Sequence, residues 1–167
     1  MHEKIRLATL EDAQIISEIY APYVLETTIS FEAIPPSPSE MAERIAVVME
    51  KFPWTVYEDN GRVQGYAYAS PFKNRHAYSW SVESTVYVDQ HAHRRGIGRA
   101  LYIDLIHRLK KQGMIQVVGC ISLPNDPSIQ LHESLGFQQV AHFKRIGLKF
   151  DQWWDVGYWQ LEIPNTN

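Results

Sequence analysis

The chain has 167 residues, 16 Lys and Arg against 19 Asp and Glu, a net charge of −3, 12% aromatic residues and one cysteine. A chain of this length can bury about 70% of the surface it exposes when unfolded, enough for a single domain over 1–167 with neither disulfides nor a structural metal. One cysteine excludes a disulfide framework and a multi-cysteine zinc site, and the mild acidity argues against a nucleic-acid or anionic-membrane binder. The opening MHEKIRLAT has no apolar run of signal-peptide type and no long apolar span follows, so a cytoplasmic protein is expected.

Ile5 to Ala8 reads as a strand, and Thr9-Leu-Glu-Asp12 as the capped, acidic start of a helix reaching Glu26. After a loop with Phe31 and Pro35-Pro36, Ser37-Pro38-Ser39-Glu40 combines a cap serine, a first-position proline and a capping-box glutamate, opening a helix to about Lys51. Trp54 to Glu58 and Arg62 to Ala69 are strands joined by an Asn60-Gly61 primed turn. Pro71 to Tyr78 is a loop, and Trp80 to Val88 a strand. Ile97, Leu101, Leu105 and Leu109 share one face of a helix that Gly113 ends. Val117 to Ser122 is a buried strand, and Leu123 to Pro127 turns into a short helix stopped by Gly136. The tail, Lys144 to Ile163, predicts two strands around a Gly147 to Trp154 connection. The order βααβββαβαββ predicts an α/β (α+β) fold, a mixed sheet covered by helices.

His93-Arg-Arg-Gly-Ile-Gly-Arg-Ala100 lies between a strand and a helix, where free helix N–H groups and glycines allow close approach of a phosphate and Arg94, Arg95 and Arg99 add charge. It is not a P-loop, since no Gly-Lys-Ser/Thr follows, and it lacks the third glycine of a dinucleotide fingerprint. By itself it reads equally well as an ordinary glycine turn before a solvated basic helix start. His91 and His93 have no matching cluster that would make a metal site, so no metal is expected.

Glu83-Ser-Thr-Val-Tyr-Val88 before this loop and Asn125-Asp-Pro-Ser-Ile-Gln-Leu-His-Glu-Ser-Leu-Gly-Phe137 one strand later give an order that resembles the GNAT superfamily of acetyl-CoA-dependent N-acetyltransferases. The superfamily's loop, Gln/Arg-x-x-Gly-x-Gly/Ala, aligns with His93-x-x-Gly96-x-Gly98, His93 departing from it; Arg95-x-x-Gly98-x-Ala100 fits in a shifted register. Pro53-Trp54, Ala77-Tyr78, Leu123-Pro-Asn-Asp-Pro-Ser128, Leu131-His-Glu133 and the Trp153 to Trp159 segment are similar to phosphinothricin and methionine sulfoximine/sulfone acetyltransferases, from about Ile5 to Ile163.

This resemblance implies a mostly antiparallel sheet with acetyl-CoA in the splay between two central strands. It also implies direct attack by the α-amine of a small amino-acid-like acceptor, herbicide resistance as one outcome, and a homodimer. The cofactor residues it implies are Val86, Tyr87, Val88, Arg94, Arg95, Gly96, Ile97, Gly98, Arg99 and Asn125. Glu83 is the implied general base, a backbone N–H from Val86 to Val88 the oxyanion donor, and His132 a group to protonate the CoA thiolate or touch the acceptor. Lys73, Arg75 and Tyr78 are expected at the acceptor, with Phe31, Tyr87 and Val156 lining its pocket; Arg75 suits a carboxylate by its forked geometry. Cys120 is expected to be an inert core residue, and the tail tryptophans core or interface aromatics. The alternatives are a peptide N-terminal or other amine acetyltransferase of the same fold, and a noncatalytic acetyl-CoA-binding module.

Overall fold

The computed structural model describes residues 3–164. Seven strands and four helices run β1 (Glu3–Leu7), α1 (Ala13–Glu26), α2 (Pro38–Met49), β2 (Trp54–Asp59), β3 (Arg62–Pro71), β4 (Ser81–Val88), α3 (Ile97–Lys111), β5 (Gln116–Leu123), α4 (Asp126–Ser134), β6 (Gln138–Lys149) and β7 (Gln152–Glu162). They form one sheet of order β1-β2-β3-β4-β5-β7-β6. Every neighbouring pair is antiparallel except β4 with β5.

The local signals have direct physical counterparts. The Ser37 hydroxyl accepts from the Glu40 N–H at 3.3 Å while the Glu40 carboxylate accepts from the Ser37 N–H at 2.7 Å, closing the capping box that starts α2. Asn60 and Gly61 adopt φ of 50° and 82°, the pair of positive values a primed hairpin turn requires. The first helix starts later than its cap suggests, because residues Leu10–Asp12 make a tight 3-10 turn before α1 begins. A larger difference lies in the tail: β6 starts at Gln138, six residues before the expected strand, and its link to β7 is only Phe150 and Asp151. Those two residues hold φ of 53° and 56°, inside the expected connection, and with Asp151 as the only turn-forming residue type of the pair the sequence signal for so tight a turn was weak.

Two cores sit on opposite faces of the sheet. On one, Leu101, Leu105 and Leu109 of α3 pack on Ala67, Ala69, Val82, Val117 and Ile121, each leucine fully buried and worth about 1.5–3 kcal/mol against exposure. On the other, Ile16, Ile19, Tyr20, Tyr23 and Val24 of α1 and Met41 and Ile45 of α2 pack on Trp54, Val56 and Tyr66. Side chains alternate along a strand, so consecutive residues of β4 and β5 present chemistry to different faces. Among the described residues no helix is long and apolar enough to cross a membrane.

Candidate active site

The central parallel pair is short. β4 and β5 are matched only from Ser81↔Gln116 to Ser84↔Gly119, although β4 runs on to Val88 and β5 to Leu123. Beyond Ser84 and Gly119 the strands diverge, and a cleft of about 380 Å³ passes between them, reaching both faces of the sheet. On the α1 side it is lined by Glu83, Cys120, Ser122, Val156 and Phe31, and on the α3 and α4 side by Tyr102, Ser128 and His132.

The register against β3 decides which backbone groups enter this opening. Phe72 N–H donates to the Ser81 carbonyl and Asp89 N–H to the Gln64 carbonyl, at the two ends of an unbroken antiparallel register. In such a ladder alternate residues turn their N–H and C=O towards the partner, so the odd-numbered residues of β4 are spent on β3. The N–H groups of Val86 and Val88 therefore face the splay, past the last β5 partner, as oxyanion or amide donors must. Tyr87, opposite Tyr66, belongs to the β3 side by its backbone and contributes its ring instead. The Val88 carbonyl accepts from the Tyr23 hydroxyl at 2.6 Å.

A second cleft of about 630 Å³ continues from the first, sharing Val86, Tyr87, Asn125 and Ser128 with it. Val88, Arg94, Gly96, Ile97, Gly98 and Arg99 line it, at the N-terminus of the fifteen-residue α3. Gly96 has φ of 75°, which accounts for glycine in the turn, and a Cβ at Gly98 would meet only ordinary contacts, the nearest at 3.4 Å from Leu131. Unpaired N–H groups, the positive end of the helix dipole and two arginines suit a pyrophosphate. Asn125 reaches the site because its side chain caps α4, accepting from Ser128 N–H at 3.3 Å.

Arg95 does not join this cradle. Its guanidinium turns back to the β2–β3 hairpin, 2.7 Å from Gln64 Oε1 and 2.8 Å from Asp59 Oδ2, so it ties the loop to the sheet. His93, the residue that departs from the loop pattern, is also engaged with the protein: its Nε2 lies 2.8 Å from the Tyr23 hydroxyl. That hydroxyl gives its only proton to the Val88 carbonyl, so Nε2 carries the hydrogen and donates to Tyr23.

Glu83 projects to the α1 side, half-buried, and burial raises its carboxyl above the ordinary carboxylate range. Lys73 and Tyr78 share a third cleft of about 460 Å³ with Glu83, Phe143 and Tyr158. Arg75, expected beside them, is exposed, caps the short 3-10 turn His76–Tyr78 and lines none of these three clefts. Phe31 is held in the wall by β6: a Cβ on Gly147 would fall on the Phe31 ring, so glycine is what lets the ring lie against the strand. Lys149, at the end of β6, donates to the Val24 and Ser30 carbonyls at 2.6 Å each, fastening the hairpin to the loop that carries Phe31.

Cys120 corrects an expectation. Val117 and Ile121 of β5 enter the α3 core, but Cys120 points the other way, into the cleft with Glu83, where solvent reaches it. Flanking protein still desolvates the thiol enough to raise its pKa, against a hydrogen bond from Tyr158 that lowers it, so the nucleophilic thiolate is disfavoured. Tyr102 and Ser122 are cleft residues that sequence reasoning missed. Both look like packing or strand residues by spacing alone, and although both are buried, the divergence of β4 from β5 makes them part of the cleft wall.

Known proteins with this pattern identify its kind. An acetyltransferase (GNAT) domain model matches residues 5–157. A phosphinothricin N-acetyltransferase of Streptomyces viridochromogenes is 41% identical, covering 96% of this chain and 89% of that protein. An L-methionine sulfoximine/L-methionine sulfone acetyltransferase of Salmonella typhimurium is 33% identical over 95% and 94%. The crystal structure of a phosphinothricin acetyltransferase from Sinorhizobium meliloti in complex with acetyl-CoA superposes with a TM-score of 0.93 at 37% identity, covering 98% of this chain and 89% of that one.

Proposed function

Because the chain belongs to the GNAT family and is an acetyl-CoA-dependent N-acetyltransferase, we propose that it acetylates the α-amine of phosphinothricin, methionine sulfoximine, methionine sulfone or a close amino-acid analogue. The observation that carries this reading is a half-buried carboxyl, Glu83, beside the splay of β4 and β5, in a cleft that reaches both faces of the sheet.

Acetyl-CoA would lie with its pyrophosphate at Arg94, Gly96, Gly98 and Arg99 and its pantetheine arm along Val86 to Val88, and it supplies the acetyl group as a thioester. A free α-amine, with a pKa of about 8, is mostly protonated at neutral pH. Glu83, directly or through one water, takes the proton that must leave before or during attack, and its burial moves it towards the pH at which it works. The Val86 or Val88 N–H stabilises the oxyanion that forms as nitrogen adds to the carbonyl carbon. Lys73 is the cation placed to meet an anionic group of the acceptor, with Tyr78 beside it, while Phe31, Tyr87 and Val156 bound its apolar part. Arg75, two residues on and exposed, is a second cation of the same loop.

We further propose a single domain over residues 1–167 that works in the cytoplasm as a homodimer, without nucleic acid or membrane; residues 1–2 and 165–167 lie outside the described part. For the dimer, the support is β6, a twelve-residue edge strand with Val140, Phe143, Ile146 and Leu148 exposed. An edge this long and apolar invites pairing unless covered. Herbicide resistance would follow from acetylation of phosphinothricin.

The test follows CoA thiol release with methionine sulfone, methionine sulfoximine, phosphinothricin, ordinary amino acids, polyamines and N-terminal peptides as acceptors. The expected result is turnover with the amino-acid analogues and little with the others. Activity confined to peptides or polyamines would overturn the acceptor class and leave the fold untouched.

A further inference from the structure

We propose that the Tyr102 hydroxyl is the hydrogen-bond donor that stabilises the departing CoA thiolate, and that His132 is the positioning residue that holds it at the splay. This rests on the acetyl-CoA reading but not on the identity of the acceptor.

The geometry begins with His132, which is 3% exposed and lies against the splay, on the face opposite Glu83. Its Nδ1 is 2.7 Å from the Ser128 carbonyl, an oxygen that can only accept, so Nδ1 carries a proton. Burial, partly offset by that carbonyl, lowers the imidazole pKa, so the neutral form prevails near neutral pH. Neutral His132 therefore has a bare Nε2, and at 3.0 Å this nitrogen accepts from the Tyr102 hydroxyl. The residue expected to give a proton has none to give towards the cleft.

Tyr102 is 1% exposed and lines the cleft from α3. Its oxygen also receives a hydrogen bond from Ser84 Oγ at 3.3 Å, so the phenol is held at the last matched pair of the two strands, Ser84↔Gly119. Glu83 and Ser84 are consecutive, hence on opposite faces. The group that accepts the amine proton and the group that meets the sulfur thus face each other through the sheet, as transfer between two reactants entering from opposite sides requires.

Magnitudes decide between hydrogen bonding and proton transfer. An ordinary phenol ionises at about 10, above the about 8.5 of a cysteine thiol and close to a simple alkyl thiol such as that of CoA, and burial pushes Tyr102 well above both. Moving the phenolic proton to the thiolate is uphill, whereas donating a hydrogen bond to it is not. As the C–N bond forms and the C–S bond breaks, sulfur keeps the bonding electron pair and the amine proton passes to Glu83. The Tyr102 O–H turns about its C–O bond from Nε2 to the more strongly accepting anionic sulfur. The thiolate takes its own proton from water after release, so no proton is lost from Tyr102 or His132.

The test uses the whole enzyme and CoA carrying 13C at the methylene that bears the sulfur, whose NMR shift reports ionisation of the bound thiol without interference from Cys120. The wild type is expected to lower the thiol pKa by about one unit, a tenfold gain in ionisation. Tyr102→Phe should abolish that shift, and His132→Ala should reduce it. An unshifted thiol in the wild type, or a full shift in Tyr102→Phe, overturns the proposal. If Tyr102→Phe does not fold, an undiminished shift in His132→Ala overturns it equally. Failure to bind CoA at all would instead refute the acetyl-CoA reading on which the proposal stands.

Discussion

Replacing Glu83 by Gln is expected to lower kcat/KM for the acceptor by about 10²–10⁴-fold, the usual contribution of a positioned acid or base, while leaving the affinity for acetyl-CoA nearly unchanged. The wild-type rate should rise with pH through the elevated Glu83 value and then level, and Glu83→Gln should lose that rising limb. The same substitution is expected to stabilise the fold. Burial raises the carboxyl, so the folded state favours protonated Glu83; that advantage is present below the ordinary carboxylate pKa and is lost as pH rises through the folded value. Glutamine mimics the neutral acid at every pH. Its Tm should therefore exceed that of the wild type at pH 7 and match it under acid conditions. Thermal melts at both pH values, beside pH–rate profiles, check the pair of effects. A variant that kept full activity across pH would remove Glu83 from catalysis.

Gly119→Ala is expected to damage both stability and rate. Its Cβ would lie 2.6 Å from His132 Cδ2 and nearer still to Nε2. The ring has little room to withdraw, since Tyr102 and Phe137 pack edge-on against it with centroids 5.1 and 5.0 Å away. Overpacking of this kind typically costs about 1–3 kcal/mol, and displacement of Nε2 removes the acceptor that orients Tyr102. Misplacement by about an ångström can cost about 10²-fold in rate. Thermal melting and kcat together test this. The double variant Gly119→Ala/His132→Ala should recover much of the lost stability, because the two residues occupy the same space and their effects are not additive. It should not recover the rate.

Much of this architecture is legible in the sequence because local chemistry and tertiary packing agree. Ser37 and Glu40 close the box they spell out, Asn60-Gly61 makes the turn it implies, and the leucine face of α3 is the face that packs. The glycine loop is legible for the same reason, since Gly96 needs its positive φ whatever surrounds it. Roles set by long-range geometry were not legible. Arg95 and Arg99 look alike in the chain, yet Asp59 and Gln64, more than 30 residues earlier in sequence, draw Arg95 away. Cys120 reads as a buried strand residue, but the strand beside it diverges and opens its side chain to the cleft. The start of β6 was hidden because Gln138 to Lys149 alternates weakly and its turn uses Phe150 and Asp151.

The central claim is that one amine attacks one thioester directly, with both held in the same cleft and no acetyl group ever resting on the protein. Initial rates measured while acetyl-CoA and methionine sulfone are both varied test it most directly. Direct transfer predicts lines that intersect in the double-reciprocal plot and an enzyme that stays unacetylated when incubated with acetyl-CoA alone. Parallel lines, together with an acetyl group found on Cys120, would be the signature of a two-step exchange and would contradict the account.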